Sequence, residues 1–158
     1  MKKNLHDIVD IDKYPINDLN SPKIKGLIKK CKEDLDQYSC STISNFILPK
    51  SLKVMNEELI KQLDEVYMSK ESINAYLYSK DDPSLPQDHP KRLFMNRYNG
   101  YLNSDCFPKD SEMKFLYETQ ELLNFVSACL GVSPIYRWAD PLACHAYNAM
   151  KPEGILPW

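Results

Sequence analysis

The residues of this chain with the clearest chemical potential are three histidines, His6, His89 and His145. A non-haem iron site needs two imidazoles and a carboxylate on one face of a scaffold. His6 falls in a polar N-terminal stretch, so His89 and His145 are the candidate ligands. No H-x-D or H-x-E motif occurs in the chain. The sequence therefore predicts no set of metal ligands of its own.

A second arrangement with chemical potential is the neighbouring pair Cys144 and His145. Both fall in a segment that predicts a strand, and neighbouring strand residues point to opposite faces, so we expect the two side chains to be kept apart. There is no G-x-S-x-G elbow, and four glycines leave no glycine-rich phosphate loop. The five cysteines form no C-x-x-C pair, which predicts reduced thiols rather than a zinc site.

The overall composition is that of an ordinary globular domain. Of the 158 residues, 43% are apolar and 27% are charged, and the net charge is -2. These values exclude wholesale disorder and a basic face for nucleic acid. No apolar leader follows the N-terminal lysines, and no apolar run approaches the roughly 18 residues that span a membrane. We therefore expect a cytoplasmic protein with neither a nucleic-acid nor a membrane partner.

The apolar periodicity divides the chain into helices followed by strands. Residues 1–20 are polar and are expected to form a flexible N-terminal segment. Ser21-Pro22 is typical of a helix start, and Gly131 is typical of a helix end. This order predicts an α+β fold in which helices cover one face of a sheet. The patterns predict helices from 22 onward, over 51–67 and over 111–130; strands over 40–48, 72–78, 93–102 (with a turn dipeptide at 99–100), 135–138 and 142–150; and a loop over 80–90.

Three short motifs, in this order, resemble one known family. They are Asp88-His89-Pro90-Lys91-Arg92, the stretch from Tyr136 to Leu142, and Asn148-x-Met150. Together they resemble the iron(II)/2-oxoglutarate-dependent oxygenases, in particular the radical halogenases and hydroxylases that act on free amino acids such as lysine. The likeness runs from about residue 40 to the end of the chain. It implies that residues 21–158 are the N-terminal portion of a single oxygenase-like domain, with helices packed on the first strands of a double-stranded β-helix (jelly-roll or cupin-like).

The spacing at the end of the sequence bears on the cofactors. In the demethylase type of these oxygenases, an Asn that contacts 2-oxoglutarate stands eleven positions before the first iron-binding His. Asn148 stands eleven positions before position 159, one past the last residue, Trp158. We therefore expect a fragment that stops just before the His-x-Asp/Gly motif, with the turn 151–154 reversing the chain towards the metal strand. Iron(II) and 2-oxoglutarate are the implied cofactors, and neither is expected to bind tightly to this chain alone.

The resemblance also implies roles for individual residues. Asn148 would contact 2-oxoglutarate. Asp140 would face a cationic substrate or, in the alternative, cap the Asp140-Pro141 turn. His89 and Arg92 would lie near the mouth of the substrate pocket or, in the alternative, in a solvated loop. Met150 occupies the place of a family Tyr that contacts 2-oxoglutarate, so that contact would be missing.

Two functions of different classes follow from these observations. The first is a fragment of an iron(II)/2-oxoglutarate-dependent dioxygenase or halogenase, inactive alone, whose substrate is a small molecule such as a cationic amino acid. A second polypeptide completing the barrel would be its partner. The alternative is a non-catalytic α+β scaffold or binding protein that works without iron.

Overall fold

The computed structural model of the protein describes residues 3–142 and 144–156. The chain forms four α-helices and three β-strands within these residues, joined by short 3-10 turns. No helix in this part of the chain has the length and apolar character needed to cross a membrane. The helices are α1 (Pro22–Tyr38), α2 (Pro49–Lys61), α3 (Glu112–Glu118) and α4 (Gln120–Leu130), and the strands are β1 (Tyr67–Ile73), β2 (Met95–Asn103) and β3 (Ala146–Ala149).

The N-terminal residues belong to the hydrophobic core, which corrects the expectation of a flexible segment over residues 3–20. Ile8, Val9 and Ile16 are at most 1% exposed. The backbone is held as well, because Leu48 N–H donates to Ile8 O at 2.8 Å. Residues 40–48 were expected to form a strand, but they contribute only an isolated bridge from Ile47 to Val9. The sparse apolar residues of this segment are buried because the chain near residue 47 covers them.

The main core is helical. α1 begins at Pro22 as predicted, although the Ser21 side chain makes no capping hydrogen bond. α1 packs against α4, while contacts between the helices and the strands are sparse. Phe107 packs against the sheet, since its ring lies 4.7 Å from that of Tyr147 in β3. The buried core residues come from the N-terminal segment and all four helices: Leu5, Ile8, Val9, Ile16, Ile24, Cys31, Met55, Leu116, Phe125 and Cys129.

Several boundaries differ from the sequence prediction for local reasons. α2 ends at Lys61, six residues before the predicted end at residue 67, because a 3-10 turn leads directly into β1. The predicted helix 111–130 is two helices, since Thr119 adopts an extended conformation with ψ of 138°. Gly131 ends α4 with a φ of 69°, as predicted. The predicted strand 72–78 reaches only Ile73, and residues 135–138 form no strand.

The three strands form an antiparallel sheet in the order β1-β2-β3. Helices and sheet together confirm the α+β class, while the jelly-roll identity stays a prediction. β2 runs through Asn99-Gly100 without a turn, because both residues pair with β1 and Gly100 also pairs with β3.

The segment after β3 does not reverse the chain. Ala149 pairs with Gly100, and Ile155 then pairs with Tyr98 in the same antiparallel sense. Ile155 and Tyr98 exchange two backbone hydrogen bonds of 2.8 Å. Residues 150–154 therefore form a loop that bulges from the edge of β2. The expected turn over 151–154 is present, since Gly154 N–H donates to Lys151 O at 2.7 Å, but it does not reverse the chain.

Candidate functional site

One face of the sheet carries most of its polar side chains. The register places Tyr67, Tyr101 and Asn148 in one row across the three strands. Because side chains alternate along a strand, residues two positions away share that face. We call the group Arg97, Asn99, Tyr101 and Asn148 the polar sheet face.

Asn99 is the most constrained member of the polar sheet face. It is 1% exposed. Its Oδ1 accepts a hydrogen bond of 2.7 Å from Arg97 Nε. Its Nδ2 is buried and finds no partner among the described residues. Buried amide nitrogens are almost always hydrogen-bonded, so this atom is an exception that calls for an acceptor.

Among the described residues, the terminal nitrogens of Arg97 have no hydrogen-bond partner. Glu71 stands directly opposite it in the register. No ion pair involving Arg97 is formed among the described residues, although four pairs elsewhere are. The terminal nitrogens of a guanidinium match a carboxylate in geometry and charge. Arg97 therefore offers a carboxylate-binding group that the described part of the protein does not fill.

Asn148 is exposed on β3, opposite Tyr101. The ring of Tyr101 packs 5.4 Å from that of Tyr67 and forms the apolar end of the row. Asn99 is a diagonal neighbour of Asn148, and such neighbours are about 7–8 Å apart in an antiparallel sheet. Asn148 therefore lies on the same face as the buried amide of Asn99 and the guanidinium of Arg97.

Asp140 lies outside the polar sheet face. Its Oδ1 accepts a hydrogen bond of 2.8 Å from Leu142 N, which is the turn-capping contact. The turn is anchored at the end of β2, because Ser104 N–H donates to Leu142 O at 3.1 Å. Asp140 is exposed, and its contact with a substrate stays a prediction.

His89 and Arg92 lie in the loop before β2. His89 Nδ1 accepts a hydrogen bond from Lys91 N. Arg92 binds both carboxylate oxygens of Asp81 at 2.8 Å and donates to Leu85 O at 3.0 Å. The guanidinium of Arg92 lowers the pKa of Asp81 below its ordinary value. Arg92 therefore closes its own loop, beside an open cleft of about 450 Å³ that Asp81 helps to line.

The structure does not bring the four residues expected from the resemblance into one site. His89 and Arg92 precede the first residue of β2, while Asp140 lies near its last residue. A strand of nine residues is roughly 27 Å long at about 3.4 Å per residue. Asn148 is the one member of this set that lies on the polar sheet face.

Cys144 and His145 are closer together than strand alternation predicts. Cys144 Sγ lies 3.4 Å from His145 Nδ1. Both residues precede β3, so their side chains do not point to opposite faces as they would within a strand. The imidazole packs beside Phe107 and Tyr117, and its Nε2 is buried without a partner among the described residues. Burial lowers the pKa of His145, and the positive charge of Lys114 adds to this effect.

Iron does not fit the side chains that the structure places together. Within residues 3–142 and 144–156, no three His, Cys, Asp or Glu side chains converge on a point where they could hold a metal ion. Trp158, at the end of the sequence, lies outside the described residues.

Arg97 and Asn99 are the site residues that sequence reasoning missed. Their signal is the alternation Arg97-x-Asn99-x-Tyr101 in a segment that predicts a strand. Models of known protein families give no match to this chain, and its sequence gives no significant match among characterised proteins.

Proposed function

We propose that the polar sheet face binds a small dicarboxylate and that this ligand is 2-oxoglutarate. The observation that carries the proposal is the buried Asn99 Nδ2, which lacks an acceptor and lies beside the unfilled guanidinium of Arg97. A carboxylate would supply acceptors to both groups. The position of Asn148 on the same face supports the proposal independently, because the resemblance assigns this residue to 2-oxoglutarate.

Each residue has a distinct role in this proposal. Arg97 holds one carboxylate through its terminal nitrogens. Asn99 donates its free N–H to the same group, while its carbonyl fixes the orientation of the guanidinium. Asn148 donates to the second carboxylate without adding a charge. The aromatic pair Tyr67 and Tyr101 would exclude water from one side of the ligand.

The wider function is that of the first part of an iron(II)/2-oxoglutarate-dependent oxygenase. In the enzymes that the chain resembles, 2-oxoglutarate supplies the electrons that activate oxygen at iron. Since the described residues do not fit iron, a second polypeptide or further chain would have to contribute the metal ligands. The substrate would be a small molecule, with a cationic amino acid favoured by the carboxylate of Asp140.

Calorimetry of 2-oxoglutarate with the purified chain, in the absence of iron, tests whether this ligand binds. We expect weak binding with a dissociation constant near the millimolar range, and Arg97→Met to weaken it about tenfold or more, because a hydrogen bond to a charged group contributes about 1.5–3 kcal/mol. Arg92→Met is the matched control, since it removes the same charge from the loop before β2.

The outcomes separate the two functions. Loss of binding in Arg97→Met but not in Arg92→Met supports the proposal. Equal binding in both variants would refute it. A third result, tight binding of another small carboxylate in preference to 2-oxoglutarate, would favour the non-catalytic binding protein.

A further inference from the structure

The opposite face of the sheet carries a cleft. It has a volume of about 440 Å³ and lies between the turn before β1 and the loop after β3. This volume falls within the range of small-molecule sites. Met68 and Ala149 line it, and their places in the register put them on the face opposite Asn148. Its lining is apolar, with Val66, Met68, Ala149 and Met150, except for Asp64 and Lys151. We call it the β1–β3 cleft.

The floor of the β1–β3 cleft depends on Gly100. Met68, Gly100 and Ala149 stand opposite one another on the three strands. A Cβ at Gly100 would overlap Met68 Sδ and lie 2.5 Å from Val66 Cγ1. The middle strand therefore contributes no side chain here, and the side chains of the β1 region lie across it as an apolar floor.

The two charged residues of the cleft stand on opposite sides of this floor. Asp64 precedes β1, and Lys151 follows β3. Because β2 lies between those strands, β1 and β3 are two strand spacings, roughly 10 Å, apart across the sheet. Neither residue forms an ion pair with the part of the chain that the structure describes.

We propose that the β1–β3 cleft binds a short linear zwitterion, with its ammonium group at Asp64 and its carboxylate at Lys151. The aliphatic chain of the ligand would lie over Met68 and Ala149. The opposite signs of the two charges disfavour dicarboxylates and diamines, since each would place one like charge against the protein. The site differs from the polar sheet face in position and in ligand, so it stands whether or not 2-oxoglutarate binds there.

The probe is 6-aminohexanoate, titrated into the full 158-residue chain and followed by amide chemical shifts in NMR. We expect shifts concentrated at residues 64–68 and 149–151. Hexanoate and hexylammonium carry one charge each and should bind about threefold to fivefold more weakly, the effect of one exposed ion pair. Glycine, which lacks the aliphatic chain, should bind more weakly still.

Charge variants complete the test. Asp64→Asn should weaken 6-aminohexanoate to the level of hexanoate, and Lys151→Met should weaken it to the level of hexylammonium. Glu33→Gln and Lys29→Met, which remove the same charges from the exposed surface of α1, should leave binding unchanged. Shifts that spread elsewhere, or equal binding by hexanoate, or indifference to both cleft variants, would overturn the proposal.

Discussion

Replacing Asn99 by leucine should stabilise the protein and abolish carboxylate binding at the polar sheet face. The change removes a buried amide nitrogen without a partner, which costs about 1–3 kcal/mol. It also loses the hydrogen bond from Arg97, worth about 1.5–3 kcal/mol, but gains about 1.5–3 kcal/mol from burial of the leucine side chain. Because the lost hydrogen bond and the gained burial offset each other, the net gain in the free energy of unfolding is about 1–3 kcal/mol. The melting temperature should therefore rise by roughly 3–10 °C.

Asn74 provides a matched control because it is also 1% exposed but hydrogen-bonded through both its oxygen and its nitrogen. Its Oδ1 accepts from Tyr76 N and Tyr78 N, each at 3.0 Å, and its Nδ2 donates to Lys91 O. Asn74→Leu should lower the free energy of unfolding by about 2–4 kcal/mol, since it strands three backbone groups. Thermal and urea unfolding of both variants measures these changes in the free energy of unfolding. If Asn99→Leu is destabilised as much as Asn74→Leu, Asn99 is a structural residue and the reasoning is refuted.

Three further results are expected. His145→Phe should raise the melting temperature by removing the unpartnered Nε2. Because the folded-state pKa of His145 lies below 6.5, the unfolded chain binds more protons, so stability falls as the pH drops below about 6.5 and levels off below the folded pKa. Urea unfolding from pH 4 to 8 should show a smaller loss of stability at low pH in the variant than in the original protein. An equal loss in both proteins would count against this role of His145. Gly100→Ala should cost about 1–3 kcal/mol of stability in urea unfolding, since the added methyl overlaps Met68 and Val66; an unaffected midpoint would contradict the register. The purified chain with iron(II) and oxygen should release no succinate from 2-oxoglutarate, and succinate above background would disprove the expected inactivity.

Local signals in the sequence predicted the elements whose ends are set locally. Pro22 begins α1 and Gly131 ends α4 because their backbone preferences act on the helix termini themselves. The break at Thr119 also has a local cause, since Thr119 Oγ1 donates to Leu116 O and ends α3. The apolar periodicity continues across that break, so it predicts one helix where there are two.

The features that were missed depend on contacts distant in sequence. Ile8 and Val9 are buried by residues near 47. The polar composition of residues 1–20 does not indicate that another segment packs over them. The pattern of residues 72–78 alternates like a strand, but the side chain of Asn74 binds the backbone of the next turn and ends β1. Whether an Asn continues a strand or forms such a turn depends on competition with the sheet partner.

In the candidate site too, some residues are indicated by the local sequence and others by contacts in the folded structure. The spacing of a motif draws attention to Asn148 in the sequence. The alternation that contains Arg97 and Asn99 predicts only a strand, and burial and hydrogen bonding then distinguish these two residues. Two residues on one sheet share a face by chance about half of the time, since a strand has two faces. The shared face alone is therefore weak support for the candidate site, and the stronger observation is the buried Nδ2 of Asn99. We propose that Asn99 keeps this donor for a ligand carboxylate, because a side chain selected for stability alone would pair the donor with an acceptor among its neighbours.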